Sequence, residues 1–251
     1  MKRIGLLGCG RIGKTLLQDI LQTEHKISFI QDPFYSSDNE PDFPIIDTPH
    51  EDLLENTDLV IESATADVLK ENIDTILEYS DLMLFSVTAF SDEIFYHHVL
   101  ARLQQYKRKI YLPHGAILGV DGILGGKKLL NSVSIETTKN PKSLGRQDII
   151  RTVVYDGSTR GACKAYPRNV NVHATIALSG IGFDETHSVI ISDPSVNTNS
   201  HKIIAKGEGF SFDITVHSFS SGGVTGQYTP YSALNSLDKI LNNDVPGMYF
   251  I

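Results

Sequence analysis

Three glycines near the amino terminus have the spacing of a turn that binds dinucleotide phosphates. Gly8-Cys9-Gly10-Arg11-Ile12-Gly13 is a GxGxxG segment that follows an apolar run at residues 3–8 and opens a segment with helical apolar spacing. In such a turn the first glycine permits the bend, the second lets the backbone approach a pyrophosphate, and the third lets helix and strand pack closely. The segment therefore predicts an NAD or NADP site that includes Gly8, Gly10, Arg11, Ile12 and Gly13.

A carboxylate follows at the distance where a ribose-binding residue is expected. Asp32 lies about 20 positions beyond the glycines, after a predicted second strand at 25–30. A carboxylate there accepts hydrogen bonds from the adenosine ribose and repels a 2′-phosphate, which favours NAD while leaving NADP open. Because Asp is also a common turn residue and Pro33 follows it, a purely local turn role is the alternative.

Composition and charge exclude several classes of protein. The chain has 251 residues and a formal net charge of −8, so no overall positive field attracts nucleic acid or an anionic membrane. The two cysteines exclude a disulfide framework and indicate a reducing compartment, which predicts a cytoplasmic location. No apolar stretch approaches the roughly 18 residues that a membrane-spanning helix needs. The partner we expect is a small molecule.

The first part of the chain alternates between strand-like and helix-like segments, which predicts a parallel sheet covered on both faces. We expect this dinucleotide-binding Rossmann domain to occupy residues 1–114. Its predicted strands lie at 3–8, 25–30, 59–61, 82–87 and 109–112. Its predicted helices lie at 10–22, 51–56, 67–78 and 92–106.

From about Gly115 the pattern changes to that of an α+β domain with a mostly antiparallel, mixed sheet. This second domain is expected at 115–229, and a C-terminal segment at 230–251 is expected to pack back on the Rossmann domain through a helix at 230–242. The predicted strands of the second domain lie at 132–138, 149–155, 188–192, 201–207 and 211–217. Its predicted helices lie at 119–130, 157–166 and 171–180.

Several separated blocks resemble the L-aspartate dehydrogenase family over nearly the whole chain. The most specific is Pro167-Arg168-Asn169-Val170-Asn171-Val172, with Ala174-Thr175 after it. The other blocks lie at 59–64, which ends in Glu-x-Ala, and at 86–92, 115–121, 139–141, 182–184 and 199–201. The resemblance implies a Rossmann domain joined to an α+β domain with the architecture of dihydrodipicolinate reductase, and it implies a homodimer.

The resemblance also implies the reaction and some of the residues. Members of the family oxidise L-aspartate to iminoaspartate, which either hydrolyses to oxaloacetate and ammonia or feeds quinolinate synthesis for NAD biosynthesis. His201 occupies the position of the family's catalytic histidine, Ala116 and Asn171 occupy positions beside the nicotinamide, and Ala64 ends a cofactor-binding block. Histidine suits this role because its ordinary pKa lets it accept a proton near neutral pH.

A dicarboxylate substrate needs cationic partners. We predict substrate-binding roles for Lys139 and Arg168, with Arg160 as a further candidate, and the alternative for each is a solvated side chain. His114 and His173 are candidates for binding a substrate group or for donating a hydrogen bond to a cofactor carbonyl. These two histidines and His201 lack the spacing of a zinc site, so no metal is expected. Cys9 is interpreted as the variable residue of the glycine loop, with a pKa lowered by its place at the start of a predicted helix as the alternative, and Cys163 is expected to pack in a helix.

The departures from the family pattern fall in blocks expected to surround the substrate. His114 replaces a serine, His173 replaces an alanine, Thr88 replaces a glycine, and residues 222–229 are rich in glycine where the family has Asn-Pro-Lys-Thr-Ser. They motivate two alternatives to an L-aspartate dehydrogenase. One is an imine reductase or dehydrogenase for a different small amino or imino acid, and the other is a catalytically silent NAD-binding sensor.

Overall fold

A computed structural model describes residues 1–36, 41–219 and 226–242 of the chain. Within them, two five-stranded sheets form the frame of the molecule. The first contains β1 (Arg3–Leu7), β2 (Lys26–Gln31), β3 (Leu59–Glu62), β4 (Asp81–Leu84) and β5 (Ile110–Tyr111). Every pair is parallel and the order is β2-β1-β3-β4-β5, which confirms the predicted Rossmann-type domain. The strand order reverses beside β1, where doubly wound sheets bind their ligands at the carboxyl ends of the strands.

Helices cover both faces of this sheet and supply its hydrophobic cores. They are α1 (Arg11–Ile20), α2 (Glu51–Leu54), α3 (Ala66–Tyr79) and α4 (Glu93–Tyr106). The Thr65 side chain caps α3 and the Asp92 side chain caps α4, each by accepting from a backbone N–H of the first turn. These caps fix where the two helices begin.

The predicted strand at 82–87 is wrong in its second half. β4 ends at Leu84, and residues Val87–Ser91 form a 3₁₀ helix. The chain turns because the buried Glu62 carboxylate accepts hydrogen bonds from the backbone N–H groups of Phe85 and Ser86, at 3.2 and 3.0 Å. The Ser86 N–H therefore has a side-chain partner where a longer strand would use a neighbouring strand.

The second sheet is mixed, as predicted. It contains β6 (Leu130–Lys139), β7 (Thr152–Ser158), β8 (His187–Ser192), β9 (Thr198–Gly207) and β10 (Phe210–Phe219) in the order β10-β9-β6-β8-β7. Only the β6–β8 pair is parallel among these pairings. The helices of this part are α5 (Val120–Gly126), α6 (Thr159–Ala165) and α7 (Asn171–Ser179), with short 3₁₀ helices at Lys127–Leu129 and Pro141–Leu144.

Two strands of this sheet differ from their predicted positions. β7 begins at Thr152, because its antiparallel register with β8 runs from Thr152 opposite Ser192 to Ser158 opposite His187. β9 begins at Thr198 and not at His201, because the hairpin with β10 pairs Thr198 with Phe219. The longer β9 places Asn199 on the same buried face as His201.

The last described helix, α8 (Tyr228–Leu241), packs against α1 of the first domain. Ala233 and Leu237 are buried in one cluster with Leu16 and Ile20. Residues 220–225 of the glycine-rich segment and residues 243–251 of the expected C-terminal segment lie outside the described residues. Among the described helices, none has the length and apolar content that crossing a membrane requires.

Candidate active site

The three glycines of the turn occupy different environments. Gly8 has a φ of +83°, and a Cβ there would come within 2.8 Å of the backbone of Ala64. A Cβ on Gly13 would collide with the carbonyl oxygen of Gly8, so this glycine permits close packing of helix and strand. A Cβ on Gly10 would meet no atom of the described residues within 4 Å. Gly10 therefore faces open space at the amino end of α1, where a phosphate would be placed.

Asp32 holds the same turn from the end of β2. Its Oδ2 accepts a hydrogen bond from the Cys9 N–H at 2.6 Å, and its Oδ1 accepts one from the Phe34 N–H at 2.8 Å. The local turn role is therefore real, and the carboxylate also lies directly beside the glycine loop. Because a carboxylate oxygen has two acceptor sites, both oxygens retain capacity for ribose hydroxyls.

The thiol of Cys9 is not activated by its position. Burial, and then the negative charge of Asp32, raise the pKa of Cys9 to about 11. The hypothesis of a lowered pKa at this cysteine is wrong, because burial and the neighbouring Asp32 carboxylate both raise it. Cys163 is buried in a hydrophobic cluster, as expected for a packing residue.

Glu62 is a site residue that sequence reasoning did not single out. Its carboxylate, fully buried at the end of β3, accepts from the Ala64 N–H at 2.8 Å and from the Ser86 hydroxyl at 2.7 Å, in addition to the two bonds at Phe85 and Ser86. Burial raises the pKa of Glu62, and these hydrogen bonds oppose the rise. The carboxylate joins the ends of β3 and β4 beside the glycine turn. The signal available in the sequence was an acidic residue ending an apolar strand.

A cavity of about 110 Å³ lies between the glycine turn and the second sheet. It brings together seven of the residues predicted from the sequence: Ile12, His114, Ala116, Lys139, Arg168, Asn171 and His201. Further lining residues are Phe85, Val87, Pro113, Gly115, Asn169, Val172, Thr175, Asn199, Ser218, Gly226 and Thr229. The other predicted cofactor residues lie at the turn itself or at the ends of β2 and β3.

The polar floor of this cavity arises from strand alternation. Inward positions of β6 run from Val133 and Ile135 to Thr137 and Lys139, so the buried face changes from apolar to polar as the strand approaches the cavity. β9 does the same in the opposite direction, from Ala205 and Ile203 to His201 and Asn199. The antiparallel register places Thr137 directly opposite His201.

Lys139 is a buried cation. Only 3% of the residue is exposed, and burial lowers the pKa of its ammonium group to about 8. Its Nζ lies 3.3 Å from Oδ1 and 3.4 Å from the backbone oxygen of Asn169, and no described carboxylate forms an ion pair with it. A buried cation with only two long neutral contacts is suited to receive an anionic ligand.

His201 is buried beside this cation. Its Nδ1 lies 2.8 Å from the hydroxyl oxygen of Thr137, which leaves Nε2 for a ligand in the cavity. Burial first, and then the positive charge of Lys139, lower the pKa of His201 to about 3. The imidazole is therefore neutral at physiological pH and able to accept a hydrogen bond or a proton.

His173 does not line the cavity, so its predicted contact with the substrate is wrong. The side chain is fully buried behind His201, where Nε2 lies 2.7 Å from the Thr137 hydroxyl and Nδ1 lies 2.9 Å from the Ser188 hydroxyl. The reason is the position of His173 on α7: it faces the second sheet, while Asn171 and Val172 face the cavity. Burial lowers the pKa of His173 well below its ordinary value, with further contributions from His201 and Lys139.

The remaining predicted side chains divide between the cavity and other places. The Asn171 amide oxygen accepts from the Thr88 N–H at 3.1 Å, which connects the two domains at the cavity wall. Thr88 itself donates to the Pro167 carbonyl and does not line the cavity. His114 is half-buried at the wall, with Nδ1 2.7 Å from the Ile117 carbonyl oxygen. Arg168 is exposed at the cavity's edge.

Arg160 is not positioned to bind a ligand in this cavity. Its guanidinium forms two hydrogen bonds of 2.7 Å with the Asp184 carboxylate and donates to the Ser91 carbonyl. This group of contacts joins α6 to the first domain. Across residues 1–36, 41–219 and 226–242, no three His, Cys, Asp or Glu side chains converge as metal ligands would.

Comparison with known proteins identifies the family to which this chain belongs. The profile described as "Aspartate dehydrogenase, C-terminal" matches residues 124–240. L-aspartate dehydrogenase of Nitrosopumilus maritimus is 32% identical over 98% of both chains, and that of Methanosarcina acetivorans is 32% identical over 96% of this chain and 98% of the relative. This chain belongs to the L-aspartate dehydrogenase family.

The structural comparison agrees with this family. The crystal structure of aspartate dehydrogenase from Thermotoga maritima matches the whole of both chains with a TM-score of 0.82 and 28% sequence identity. The profile of the family's C-terminal part begins in α5 and ends in α8, so it contains Lys139, Asn171 and His201.

Proposed function

We propose that this protein is an NAD(P)-dependent L-aspartate dehydrogenase. It oxidises L-aspartate to iminoaspartate, or reduces iminoaspartate formed from oxaloacetate and ammonia. The observation that carries the proposal is that one cavity is lined by Ile12 of the glycine turn, by the buried cation Lys139 and by the buried imidazole His201. This arrangement supports a site that combines a dinucleotide, an anion-binding group and a proton acceptor.

The residues around the turn fit a dinucleotide. Gly10 leaves room for a pyrophosphate at the amino end of α1, and no side chain among the described residues caps that helix. We assign Asp32, at the end of β2, to the adenosine ribose. We assign Ala116 and Asn171, which line the cavity, to the nicotinamide end of the site, and Ala64, which abuts the turn, to cofactor binding there. When bound, the nicotinamide ring supplies the hydride acceptor or donor.

The substrate carboxylates are assigned to cations at the two ends of the cavity. Lys139 binds one of them inside, where exclusion of water strengthens the attraction between opposite charges. Arg168 binds the other at the edge, where its guanidinium can make two parallel hydrogen bonds to a carboxylate. His114 is positioned at the wall to bind a further substrate group.

His201 performs the proton transfer. Oxidation of the ammonium form of aspartate removes a hydride from Cα and one proton from nitrogen, which leaves a C=N bond. The neutral His201 imidazole accepts that proton, and a substrate carboxylate beside Lys139 offsets the positive charge that lowers the histidine's pKa. Water then adds to the imine carbon and ammonia leaves, giving oxaloacetate.

The test is consumption of reduced nicotinamide coenzyme with oxaloacetate and ammonium, compared with a panel of other 2-oxo acids and with NADH against NADPH. Preference for oxaloacetate supports the proposal. Preference for another oxo acid favours the imine-reductase alternative. The His201→Ala variant should lose about 10²–10⁴-fold in kcat with NADH affinity unchanged. Equal biological activity of this variant would favour the sensor alternative.

We further propose that the protein is a cytoplasmic homodimer. Its two cysteines are free and buried, which suits a reducing compartment. Beside the edge strand β7, the side chains of Ile149, Ile150 and Val153 are exposed at 89%, 70% and 52% of their residue surfaces. Exposed apolar side chains at a sheet edge are suited to pairing with another copy. Sedimentation equilibrium tests the dimer, and cell fractionation tests the location.

A further inference from the structure

A series of buried hydrogen bonds leads away from His201 into the second domain. His201 Nδ1 lies 2.8 Å from Thr137 Oγ1, and Thr137 Oγ1 lies 2.7 Å from His173 Nε2. His173 Nδ1 lies 2.9 Å from Ser188 Oγ. These four side chains come from β9, β6, α7 and β8, so the series crosses the whole sheet–helix layer behind the cavity.

The series ends at a backbone carbonyl. Ser188 Oγ lies 2.7 Å from Thr159 Oγ1, and the Thr159 hydroxyl donates to the Thr186 carbonyl oxygen at 3.0 Å. We call the five side chains of His201, Thr137, His173, Ser188 and Thr159 the buried network. None of the five residues is more than 3% exposed.

The network holds a limited number of protons. Each hydroxyl has one proton to donate, and a neutral imidazole has one N–H. Both histidines are neutral, because burial without a carboxylate partner lowers the pKa of each. In each contact of the series, therefore, one partner donates its proton and the other accepts, and the direction of one hydrogen bond determines the direction of the next.

The carbonyl decides the direction of all the bonds. Since the Thr186 carbonyl can only accept, the Thr159 hydroxyl donates to it, and Ser188 must then donate to Thr159. Ser188 consequently accepts from His173 Nδ1–H, which leaves His173 Nε2 as an acceptor for the Thr137 hydroxyl. Thr137 in turn accepts from His201 Nδ1–H.

We propose that the buried network fixes the tautomer of His201, with the proton on Nδ1 and the lone pair of Nε2 directed to the cavity. Thr137, His173, Ser188 and Thr159 are then positioning residues that act through His201. The inference rests on the proposed function only for the use of His201 as a base. The opposite direction would leave Thr159 Oγ1 and the Thr186 carbonyl oxygen 3.0 Å apart with no proton between them, at two residues that are fully buried.

The network also accounts for the histidine at position 173. This residue stands where the family resemblance led us to expect alanine, and it joins the hydroxyls of Thr137 and Ser188. Without the imidazole, the Thr137 hydroxyl would be free to donate to His201 Nδ1 and so to move the histidine's proton to Nε2. His173 therefore transmits the direction set at Thr186 to the cavity.

Nitrogen-15 NMR of the full chain with labelled histidine tests the tautomer directly. The signals of His201 are identified by their loss in the His201→Ala variant. In the unaltered protein we expect a bonded proton on Nδ1 and none on Nε2. A proton found on Nε2 overturns the proposal, whatever the variants do.

Substitutions remote from the cavity provide the second test. Ser188→Ala and Thr159→Val should move part of the His201 population to the Nε2–H tautomer and lower kcat by up to about 10²-fold, with a smaller change in KM for aspartate. Ser188→Thr, which keeps the hydroxyl, should restore both. The matched control is Thr57→Val, a buried threonine whose hydroxyl donates to the Leu53 carbonyl at 2.8 Å in the first domain.

The proposal on the His201 tautomer and the proposed function can be refuted separately. Unchanged His201 signals in both Ser188→Ala and Thr159→Val would overturn the network while leaving aspartate oxidation untouched. Absence of aspartate turnover together with the expected spectrum would overturn the proposed function and leave the network standing.

Discussion

Lys139 and His201 line the same cavity, and they stand in opposite protonation states over most of the physiological pH range. Burial, and then the charge of Lys139, lower the pKa of His201 to about 3, while burial lowers the pKa of Lys139 to about 8. Between these values the cavity holds one ammonium cation and one neutral imidazole. That combination suits an anionic substrate that must lose a proton.

The lowered pKa of His201 makes the free energy of unfolding depend on pH. Its folded pKa lies below the ordinary value of 6.5, so its contribution is fully present above pH 6.5 and is lost as pH falls toward about 3. Because one pKa unit corresponds to about 1.4 kcal/mol, His201 accounts for a few kcal/mol over this window. Urea unfolding between pH 7 and pH 4 should show a shallower pH dependence in His201→Gln. His97→Gln, at an exposed histidine, is the control, and equal slopes in all three proteins would contradict the prediction.

Replacement of Lys139 should separate stability from activity. A buried ammonium without an ion-pair partner costs free energy below pH 8, so Lys139→Met should raise the free energy of unfolding at pH 7 by about 1–3 kcal/mol. The same variant should raise KM for aspartate at least about tenfold, because it loses a charged hydrogen bond. Lys206→Met, at an exposed lysine, should do neither. Lower stability of Lys139→Met would contradict the prediction.

The affinity for dicarboxylates should also decline at alkaline pH. Lys139 loses its proton near pH 8 in the free protein, and an anion in the cavity favours its charged form. Calorimetric titration with a non-reacting dicarboxylate should therefore show weaker binding and greater proton uptake above pH 8. The Lys139→Met variant should show no such dependence, and a parallel decline in that variant would assign the effect to another group.

The three glycines of the turn should respond differently to alanine. The new methyl group of Gly10→Ala would contact none of the residues that the structure describes, so the melting temperature should change little while the dissociation constant for NADH rises. Gly8→Ala combines a positive φ with a clash at Ala64 and should lower stability by about 1–3 kcal/mol. Differential scanning calorimetry and NADH fluorescence titration separate the two outcomes. Unchanged NADH affinity in Gly10→Ala would place the pyrophosphate elsewhere.

Asp32 should set the choice of coenzyme. Asp32→Asn keeps one acceptor oxygen but removes the charge, so the ratio of kcat/KM for NADH over NADPH should fall about tenfold or more. Part of the effect will be looser packing of the turn, because the Cys9 N–H loses a charged acceptor. Asp213→Asn, in an ion pair with Lys202 on the second sheet, is the control. An unchanged ratio of kcat/KM for NADH over NADPH would show that Asp32 only stabilises the turn and does not select the coenzyme.

The two arginines that were candidates for binding a substrate carboxylate should differ in function. Arg168→Met should raise KM for aspartate, because Arg168 is at the cavity's edge. Arg160→Met should leave KM unchanged and lower the free energy of unfolding by about 1 kcal/mol, since its partner Asp184 is largely exposed and screened. Steady-state kinetics and urea unfolding of both variants make the comparison. A raised KM in Arg160→Met alone would reverse the assignment.

Local sequence was sufficient for the Rossmann domain. The glycine turn, the apolar strands and the helical spacing of Leu16, Leu17 and Ile20 each depend on neighbours within a few positions, and the structure has these elements close to their predicted bounds. The exception, the end of β4, depends on the Glu62 carboxylate, which arrives from another strand. Local sequence patterns predict the backbone conformation of a segment. They do not predict a hydrogen bond that a side chain from a distant strand makes with that segment.

What the amino-acid sequence determined by itself was therefore the turn for a dinucleotide, the class of each domain and, through the glycine motif together with the family resemblance and the chemistry it implies, seven residues of one cavity. Only the tertiary structure decided that Lys139 is a buried cation without an ion pair, that Arg160 is occupied by Asp184, and that His173 lies behind His201. The physical reason is that charge state and hydrogen-bond direction depend on burial and on partners brought together by the β6–β9 register and the packing of α7. The charge state and the hydrogen-bond direction cannot be predicted from the sequence, because the residues that determine them are distant along the chain.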